Sequence, residues 1–313
     1  MHKPLVTIGI PCYNAKDSVK DAIEAALKQD YPNVEVLVVD DCSTDGSQTY
    51  LQDLKRELNF NLILLEKNGG VAKVCNTIIA HAKGEYIAFC GDDDMFVRHR
   101  ISEQVKQLTA PEIAQHKIVA SFVARTQVFP DGREVYEPAI YRPDGLDIDS
   151  EELLSWTVLG RYGSNIRGSA GSGTCLAHRS VYQALNGYDE NFRRSSDMEF
   201  VLRLALLKGK VVTLQESLLI QRMTAGADKT SDKQRQFFNL MLEKHQIVLK
   251  EKRLYRPAKI FSDIKFSFLK NEKDKVIIGL LKLALTQPAS LVKAIVVAYQ
   301  RRQTIKARQK TIQ

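Results

Sequence analysis

The first hundred residues alternate between short apolar runs and longer amphipathic segments. Apolar runs rich in β-branched residues predict buried strands at residues 5–10, 34–39, 61–65 and 86–90, and Pro11 is expected to end the first of them. Apolar residues that recur at helical spacing predict helices at residues 14–30, from about 47 to 58, and at 71–83. Strands and helices in this order predict right-handed crossovers and a largely parallel sheet.

Past residue 100 the pattern is less regular. The elements predicted there are an alternating strand at 118–128, a hairpin-like turn at 130–132, a Gly/Ser-rich loop at 160–173 and a strand at 174–177. A helix is expected from about Ser196, with Phe200, Val201, Leu204 and Leu207 on its apolar face and Gly209 after its end. From about residue 231 the pattern is helical.

Polar residues follow three of the predicted strands at the point where each strand ends. These segments are residues 11–14, 40–47 and 92–94. In open α/β sheets the ligand lies beyond the carboxyl ends of the strands. One crevice is therefore expected to collect all three segments.

Composition and cysteine content are ordinary for a folded protein of a reducing compartment. Of 313 residues, 44% are hydrophobic and 26% charged, and no fixed repeat is present. The five cysteines are odd in number and form no C-x-x-C pair, which argues against a disulfide framework and a structural zinc site. The N-terminal apolar run of six residues is too short for a signal-peptide core, so we expect a cytoplasmic protein.

The excess positive charge of the chain lies at its C-terminal end. Residues 1–228 carry a net charge of −6, whereas residues 229–313 carry +14. Apolar runs at 276–285 and 289–299 are each about half the length that spans a bilayer. The pattern favours helices lying on an anionic membrane surface, at the cytoplasmic face. The alternative is a helical hairpin packed on the catalytic domain or in a homo-oligomer.

Three consecutive aspartates, Asp92, Asp93 and Asp94, follow the fourth predicted strand. Adjacent carboxylates repel, and a hard cation such as Mg²⁺ or Mn²⁺, shared with phosphate oxygens, relieves that repulsion. An isolated triplet would more often be a solvated turn. Its place at a strand end, opposite a second acidic loop, favours the metal site.

The second acidic loop runs from Asp40 to Ser47. Its Asp and Ser side chains could cap the helix that follows, which accounts for about half of the pattern. Capping does not explain a carboxylate directly at the end of a buried strand. Asp40 is well placed there to accept an N–H from a nucleobase.

These segments together resemble the family 2 inverting glycosyltransferases. The resemblance rests on four stretches in family order, at residues 6–14, 38–47, 68–73 and 84–94, and continues through 187–190 and 196–203 to about residue 225. It implies an α/β fold of the GT-A type, with a Rossmann-like mixed sheet flanked by helices. The basic C-terminal helical extension lies outside it.

The resemblance also implies roles for individual residues. Asp40 corresponds to the aspartate that bonds the uracil N3–H, and Pro11, Tyr13 and Asn14 to the loop that lines the base and ribose. Within the D-x-D motif, Asp93 corresponds to the aspartate that binds Mn²⁺ or Mg²⁺. Its neighbour Asp94 assists as a further metal ligand, and Asp92 assists on the nucleotide side.

The chain departs from the family pattern at three positions. Gly91 stands where the first aspartate of D-x-D is common, so Asp92 is expected to compensate. Cys75 stands where relatives often carry Arg, and Lys73 is a weak candidate to supply charge to the diphosphate, a surface lysine being at least as plausible. Ser196 replaces the glutamate of the family's E-D motif.

Asp197 corresponds to the second acid of that E-D motif and is predicted to be the catalytic base. An inverting transfer needs a carboxylate to take the proton of the acceptor hydroxyl. The alternative role for a Ser-Ser-Asp segment is helix N-terminal capping, which is compatible with catalysis.

The function implied by the resemblance is transfer of a hexosyl or N-acetylhexosaminyl group from a nucleotide-sugar donor, expected to be UDP-linked. The acceptor would be a glycan or a lipid-linked glycan of cell-surface polysaccharide synthesis. The alternative is a catalytically weak member that serves as a nucleotide-binding partner subunit or scaffold. A dehydrogenase is disfavoured because no G-x-G-x-x-G follows the first strand, and nucleic acid is not an expected partner.

Three regions are expected from this pattern. Residues 1–100 would form the nucleotide-sugar-binding half of the catalytic domain. Residues 101–228 would form the acceptor-binding and catalytic half, and residues 229–313 the basic helical extension.

Overall fold

A computed structural model describes residues 3–160, 164–223 and 230–286 of the chain. Within these residues nine strands form one sheet. The strands are β1 Val6–Cys12, β2 Val34–Asp40, β3 Asn61–Leu64, β4 Tyr86–Phe89, β5 Met95–Phe96, β6 Val119–Val128, β7 Glu134–Glu137, β8 Cys175–His178 and β9 Lys210–Arg222.

Helices alternate with the first strands and follow one another at the C-terminal end. In the first part of the chain they are α1 Val19–Leu27, α2 Ser47–Glu57, α3 Val71–His81, α4 Arg100–Thr109, α5 Pro111–Ala114, α6 Ser150–Leu159, α7 Arg179–Ala184 and α8 Ser196–Leu206. After β9 they are α9 Ser231–Lys244, α10 Gln246–Glu251, α11 Tyr255–Leu269 and α12 Lys273–Thr286.

The sheet is mixed, which confirms the predicted fold class. Its strand order is β3-β2-β1-β4-β8-β6-β9-β5, with β7 paired to β6. The first four strands in this order are parallel, as the sequence predicts, whereas β8 runs antiparallel to both β4 and β6. The expectation of a largely parallel sheet therefore holds for the N-terminal half, whereas in the rest of the sheet only the β6–β9 pair is parallel.

The first strand continues through Pro11, where the sequence predicts its end. β1 pairs with β4 only as far as Gly9, but its pairing with β2 extends to Cys12 opposite Asp40. Beyond Gly9 one edge of β1 is free of β4, and a residue without an N–H is tolerated at such an edge.

Two details of the predicted helices are wrong. The first helix begins at Val19 and not at residue 14, because the N–H groups of residues 14–16 bond instead to side chains of the loop before α2 and of its first residue, Ser47. Leu207 is 43% exposed, because α8 ends at Leu206 and the apolar face of the helix ends with it.

The described part of the chain divides into two compact units. The first contains the whole sheet and takes residues up to Ser150 and those from Arg167 to the end of β9. The second takes residues from Glu151 to Ile166 and the helices α9 to α12. The three functional regions expected from the sequence stay a prediction.

The C-terminal helices match the helical pattern predicted from about residue 231. The apolar run at 276–285 lies within α12, and the run at 289–299 lies outside the described residues. Among the described helices none combines the length and apolar character needed to cross a membrane.

Candidate active site

The loops after β1 and β2 are joined by side-chain bonds. The Asn14 N–H donates to Ser43 Oγ at 2.8 Å, and the Thr44 N–H donates to Asn14 Oδ1 at 2.8 Å. Asn14 has a positive φ of 51°, which asparagine tolerates better than most residues. The register of the two strands therefore places Pro11, Tyr13 and Asn14 beside the end of β2, as the sequence predicts.

Asp40 ends β2 with a fully buried carboxylate. It accepts hydrogen bonds from the Ser43 N–H and hydroxyl and from Gln48 Nε2. A buried carboxylate requires such donors. Its role toward a nucleobase stays a prediction. Ser43 and Gln48 already hold the carboxylate in place, so a nucleobase that binds at this edge would meet a fixed acceptor.

Asp41, to which the sequence assigned only a capping role, holds the loop before α3. Its two carboxylate oxygens accept the Gly69 N–H and the Gly70 N–H, each at 2.8 Å. Gly70 is the N-cap of α3 and has a φ of 82°, so its conformation favours glycine. The Asp41 carboxylate therefore supplies the negative charge that the N-terminus of α3 favours.

Asp92 connects the end of β4 to the loop after β1. Its Oδ2 accepts the Tyr13 N–H at 2.9 Å, and the Tyr13 side chain is 48% exposed. Burial raises the pKa of Asp92 to about 7, against the lowering effect of the Tyr13 N–H. The bond brings two of the three predicted segments to one edge of the sheet.

The crowding around residue 91 accounts for part of the departure from the family pattern, in which glycine stands in place of an aspartate. A Cβ at this position would lie 2.8 Å from Asp94 Oδ2 and 3.2 Å from Asp93 Oδ1. An aspartate at residue 91 would therefore displace the carboxylates that follow it. The close approach is consistent with the prediction that Asp92 substitutes for the missing side chain.

Asp94 is buried at the same edge, with 5% of its surface exposed. Burial raises its pKa to about 7, and the like charge of Asp93 acts in the same direction. Its Oδ1 is buried without a hydrogen-bond partner. Such an atom is unfavourable unless a ligand or an ion completes it.

The loop at residues 171–173 lies between the acidic run and the start of α8. A Cβ at Gly173 would be 3.8 Å from Asp94 Oδ2. A Cβ at Gly171 would be 3.0 Å from Arg125 Nη1 and 3.9 Å from Asp197 Oδ2. Asp94 and Asp197, which are distant in sequence, therefore lie along the same short loop.

Asp197 is the second residue of α8 and does not cap the helix in the expected way. The N-cap is Ser195, with a φ of 59°, and its side chain makes no capping bond. Asp197 Oδ1 accepts the adjacent Met198 N–H at 2.8 Å. Burial raises the pKa of Asp197, while the Met198 N–H and the guanidinium groups of Arg125 and Arg194 act to lower it.

Arg125 is a functional candidate that the sequence analysis missed. It lies on β6, and its guanidinium is close enough to both Asp94 and Asp197 to lower their pKa values. Its Nε is buried without a hydrogen-bond partner. This arginine belongs to no local sequence motif, so only the pairing of β6 with β8 and β9 reveals its position.

Arg100 holds the 171–173 loop through a hydrogen bond to its backbone. Its side chain is fully buried, with Nη1 donating to Gly173 O at 2.8 Å and Nε donating to Gln104 Oε1 at 3.0 Å. The guanidinium carbon lies 3.7 Å from the centroid of the Phe96 ring. Burial lowers the pKa of Arg100 to about 10, and the group remains a cation at neutral pH.

Lys73 does not stand free to meet a diphosphate. It faces Glu190 at 3.5 Å, and both side chains are about half exposed. Asn76, one turn further along α3, accepts the Tyr188 N–H at 2.8 Å and donates to Tyr188 O at 2.8 Å. The helix therefore holds the segment that leads toward Asp197, and a phosphate role for Lys73 stays a prediction.

The model of the family described as glycosyl transferase family 2 matches residues 7–165, about half of the chain. This chain belongs to that family. Its membership confirms the resemblance inferred from the four sequence stretches.

Relatives of this family 2 chain include bacterial glycosyltransferases. It is 31% identical over 159 residues to TuaG of Bacillus subtilis, a protein named for teichuronic acid biosynthesis, covering 50% of the chain and 60% of TuaG. It is 38% identical over 103 residues to WfaP of Escherichia coli, named as a UDP-Glc:alpha-D-GlcNAc-diphosphoundecaprenol beta-1,3-glucosyltransferase, covering 32% of the chain and 40% of WfaP. The chain thus spans 60% or less of these two relatives' length.

Solved structures show the same fold at low identity. S. aureus TarS 1-349 in complex with UDP-GlcNAc matches with a TM-score of 0.60 and 17% identity, covering 95% of this chain and 92% of that one. The mannosyltransferase PcManGT from Pyrobaculum calidifontis, in complex with GDP-Man and Mn²⁺, matches with a TM-score of 0.57 and 16% identity, covering 97% and 81%. These matches support the GT-A fold of the family 2 chain.

The acidic run of the family 2 chain fits a divalent cation that is shared with phosphate oxygens. Among the described residues no three Asp, Glu, His or Cys side chains form a ready metal site. Mg²⁺ in nucleotide sites is commonly held by one or two carboxylates and by the phosphates themselves. The unpartnered Asp94 Oδ1 and the raised pKa values of Asp92 and Asp94 are what such a partly built site would show.

Proposed function

We propose that this chain is an inverting glycosyltransferase that moves a hexosyl or N-acetylhexosaminyl group from a UDP-sugar to a glycan or lipid-linked acceptor. The observation that carries the proposal is the loop at residues 171–173, along which Asp94 and Asp197 both lie. A metal-side carboxylate and a separate carboxylate that accepts a proton are the two acidic functions that an inverting transfer needs.

The nucleotide would bind at the joined loops after β1, β2 and β4. Asp40 would accept the base N–H, and Pro11, Tyr13 and Asn14 would line the base and ribose. Asp92 accepts the Tyr13 N–H, and this bond supports assigning it to the ribose side of the acidic run. A UDP donor is supported by the names of WfaP and of the TarS complex.

Asp93 and Asp94 would hold Mn²⁺ or Mg²⁺. When bound, the cation would neutralise charge on the diphosphate leaving group. Carboxylate oxygens are hard ligands and suit both Mn²⁺ and Mg²⁺. PcManGT, of the same fold, is described with Mn²⁺ and a nucleotide sugar.

Asp197 would act as the base. The acceptor hydroxyl attacks the anomeric carbon from the face opposite the departing diphosphate, its O–H bond breaks, and the carboxylate takes the proton. Burial raises the pKa of this carboxyl, which makes it a stronger proton acceptor than an exposed aspartate. The guanidinium groups of Arg125 and Arg194 oppose that rise.

The acceptor class is proposed from the names of the relatives, and the location from the basic C-terminal end of the chain. TuaG and WfaP are named for teichuronic acid biosynthesis and for a diphosphoundecaprenol acceptor. We therefore place the reaction in cell-surface polysaccharide synthesis, with the protein peripheral on the cytoplasmic face of the membrane.

The proposal is tested by titrating UDP into the purified chain with and without Mn²⁺ or Mg²⁺. We expect tighter binding with metal, and loss of that gain in Asp93→Asn. Asp53→Asn, an exposed residue paired with Arg56 on α2, is the matched control and should bind UDP as the wild type does. If metal changes nothing in the wild type, the metal-dependent mechanism is wrong.

A second measurement separates a transferase from a nucleotide-binding scaffold. Slow hydrolysis of nucleotide sugars is screened across UDP- and GDP-linked donors, with Asp197→Asn in parallel. Turnover of a UDP-sugar that falls in Asp197→Asn supports the enzyme. UDP binding without turnover of any donor, even with candidate acceptors, would favour the scaffold.

A further inference from the structure

The helices α11 and α12 form a tightly packed hairpin. Gly279 of α12 is buried against α11, where an added Cβ would lie 2.5 Å from Ile264 Cγ1. Leu283, one turn further along, is 7% exposed. These two residues mark the inner face of α12.

The outer face of α12 is apolar and exposed. Ile277 is 58% exposed, Leu281 59% and Leu285 86%, and these residues are four apart, so they lie along one side of the helix. Ile278, 49% exposed, widens the stripe. We call these four side chains the α12 face. Near the turn before the helix, Phe268 and Leu269 are 71% and 56% exposed, respectively.

Lysines border the α12 face. At 100° per residue, Lys275 and Lys282 project from one side of the stripe and Lys273 from the other. Asp274 is the acidic residue on the stripe, in the first turn, where a carboxylate stabilises the helix. Residues 255–286 carry seven Lys or Arg against three Asp or Glu, a net charge of +4.

We propose that the α12 face docks onto an anionic lipid bilayer. An apolar stripe bordered by lysines is the arrangement that places side chains among acyl chains and ammonium groups at the phosphates. A second copy of this surface is a poorer partner, because pairing the face with itself would bring lysine-rich borders together. The relation between this docking and catalysis rests on the proposed function, because an enzyme bound to the membrane surface can reach a lipid-linked acceptor.

The test uses the full chain and co-sedimentation with two kinds of vesicle, phosphatidylcholine alone and phosphatidylcholine with phosphatidylglycerol. We expect stronger binding to the second. A variant carrying Ile277→Ser, Leu281→Ser and Leu285→Ser should bind about tenfold more weakly or worse, because it removes three of the four apolar contacts. Ile247→Ser, at a residue on α10 that is 74% exposed, is the control and should bind as the wild type does.

Three outcomes would overturn the inference. These are wild-type binding by the triple variant, equal binding to the two kinds of vesicle, and a wild-type dimer in sedimentation velocity that the triple variant converts to a monomer. Circular dichroism excludes loss of folding. Hydrolysis of a soluble UDP-sugar is measured in the same samples, so that failure of the membrane surface and failure of the proposed activity can be told apart.

Discussion

The buried ion pair of Glu199 and Arg203 offers a sharp test of how the structure holds α8, the helix that carries Asp197. Glu199 is fully buried in α8, and Arg203, one turn later, is 16% exposed. Arg203 Nε donates to both carboxylate oxygens, at 3.0 and 2.9 Å, and Nη2 contacts Oε2 at 2.8 Å. The remaining donors reach Leu185 O and Gly187 O, so the pair fastens α8 to the turn before it.

We expect Glu199→Gln to lower the free energy of unfolding by about 3 kcal/mol. Breaking one partner of a buried pair typically costs about 3 to 5 kcal/mol, because it leaves an uncompensated charge. The lower figure applies here since the two carbonyl contacts of Arg203 would remain. Against a typical total of about 5 to 15 kcal/mol, this is a large fraction of the stability.

The assay is urea unfolding of the wild type and the variant, with the slopes compared. Glu24→Gln is the matched control, because Glu24 and Lys28 form an ion pair of the same spacing on α1, at 2.6 Å, with both side chains accessible. That pair should contribute nothing measurable. A Glu199→Gln variant as stable as Glu24→Gln would refute the reasoning and would mean that the buried pair is replaceable at no cost.

Four further predictions concern the glycine geometry and the base. Gly168→Ala should destabilise the fold by at least about 2 kcal/mol more than Gly132→Ala in urea unfolding. Both glycines have a φ near 80°, but a Cβ at Gly168 would lie 2.2 Å from a backbone oxygen, whereas a Cβ at Gly132 would face open space. Equal losses of unfolding free energy in the two variants would contradict this prediction. Asp197→Asn should reduce kcat by about 10² to 10⁴ with UDP binding unchanged, and a smaller loss would remove Asp197 as the base. In the wild type, activity should fall as pH drops through the raised pKa of Asp197, because the protonated carboxyl accepts no proton. Arg125→Met should shift this fall in activity to higher pH, because the guanidinium lowers the pKa of Asp197. An unchanged pH profile would mean that Arg125 has no electrostatic effect on Asp197.

The sequence by itself determines the N-terminal half of the fold and the type of chemistry. Its β-branched runs and helical spacings lie within a few residues of β1 to β4 and α2 to α3, because buried parallel strands and amphipathic helices have distinct periods. The polar segments after the strands indicate the edge where ligands bind. Four motifs in order then identify the family, which the family model confirms.

The tertiary structure decides what meets at that edge. Arg125 and the 171–173 loop belong to no recognised motif, and they approach Asp94 and Asp197 because β8 inserts antiparallel between β4 and β6. The sequence makes Lys73 only a weak candidate for the diphosphate, and the folded chain pairs it with Glu190, more than a hundred residues away. Periodicity reports the local burial of a segment, whereas pairing between distant segments depends on strand order, and local patterns do not encode that order.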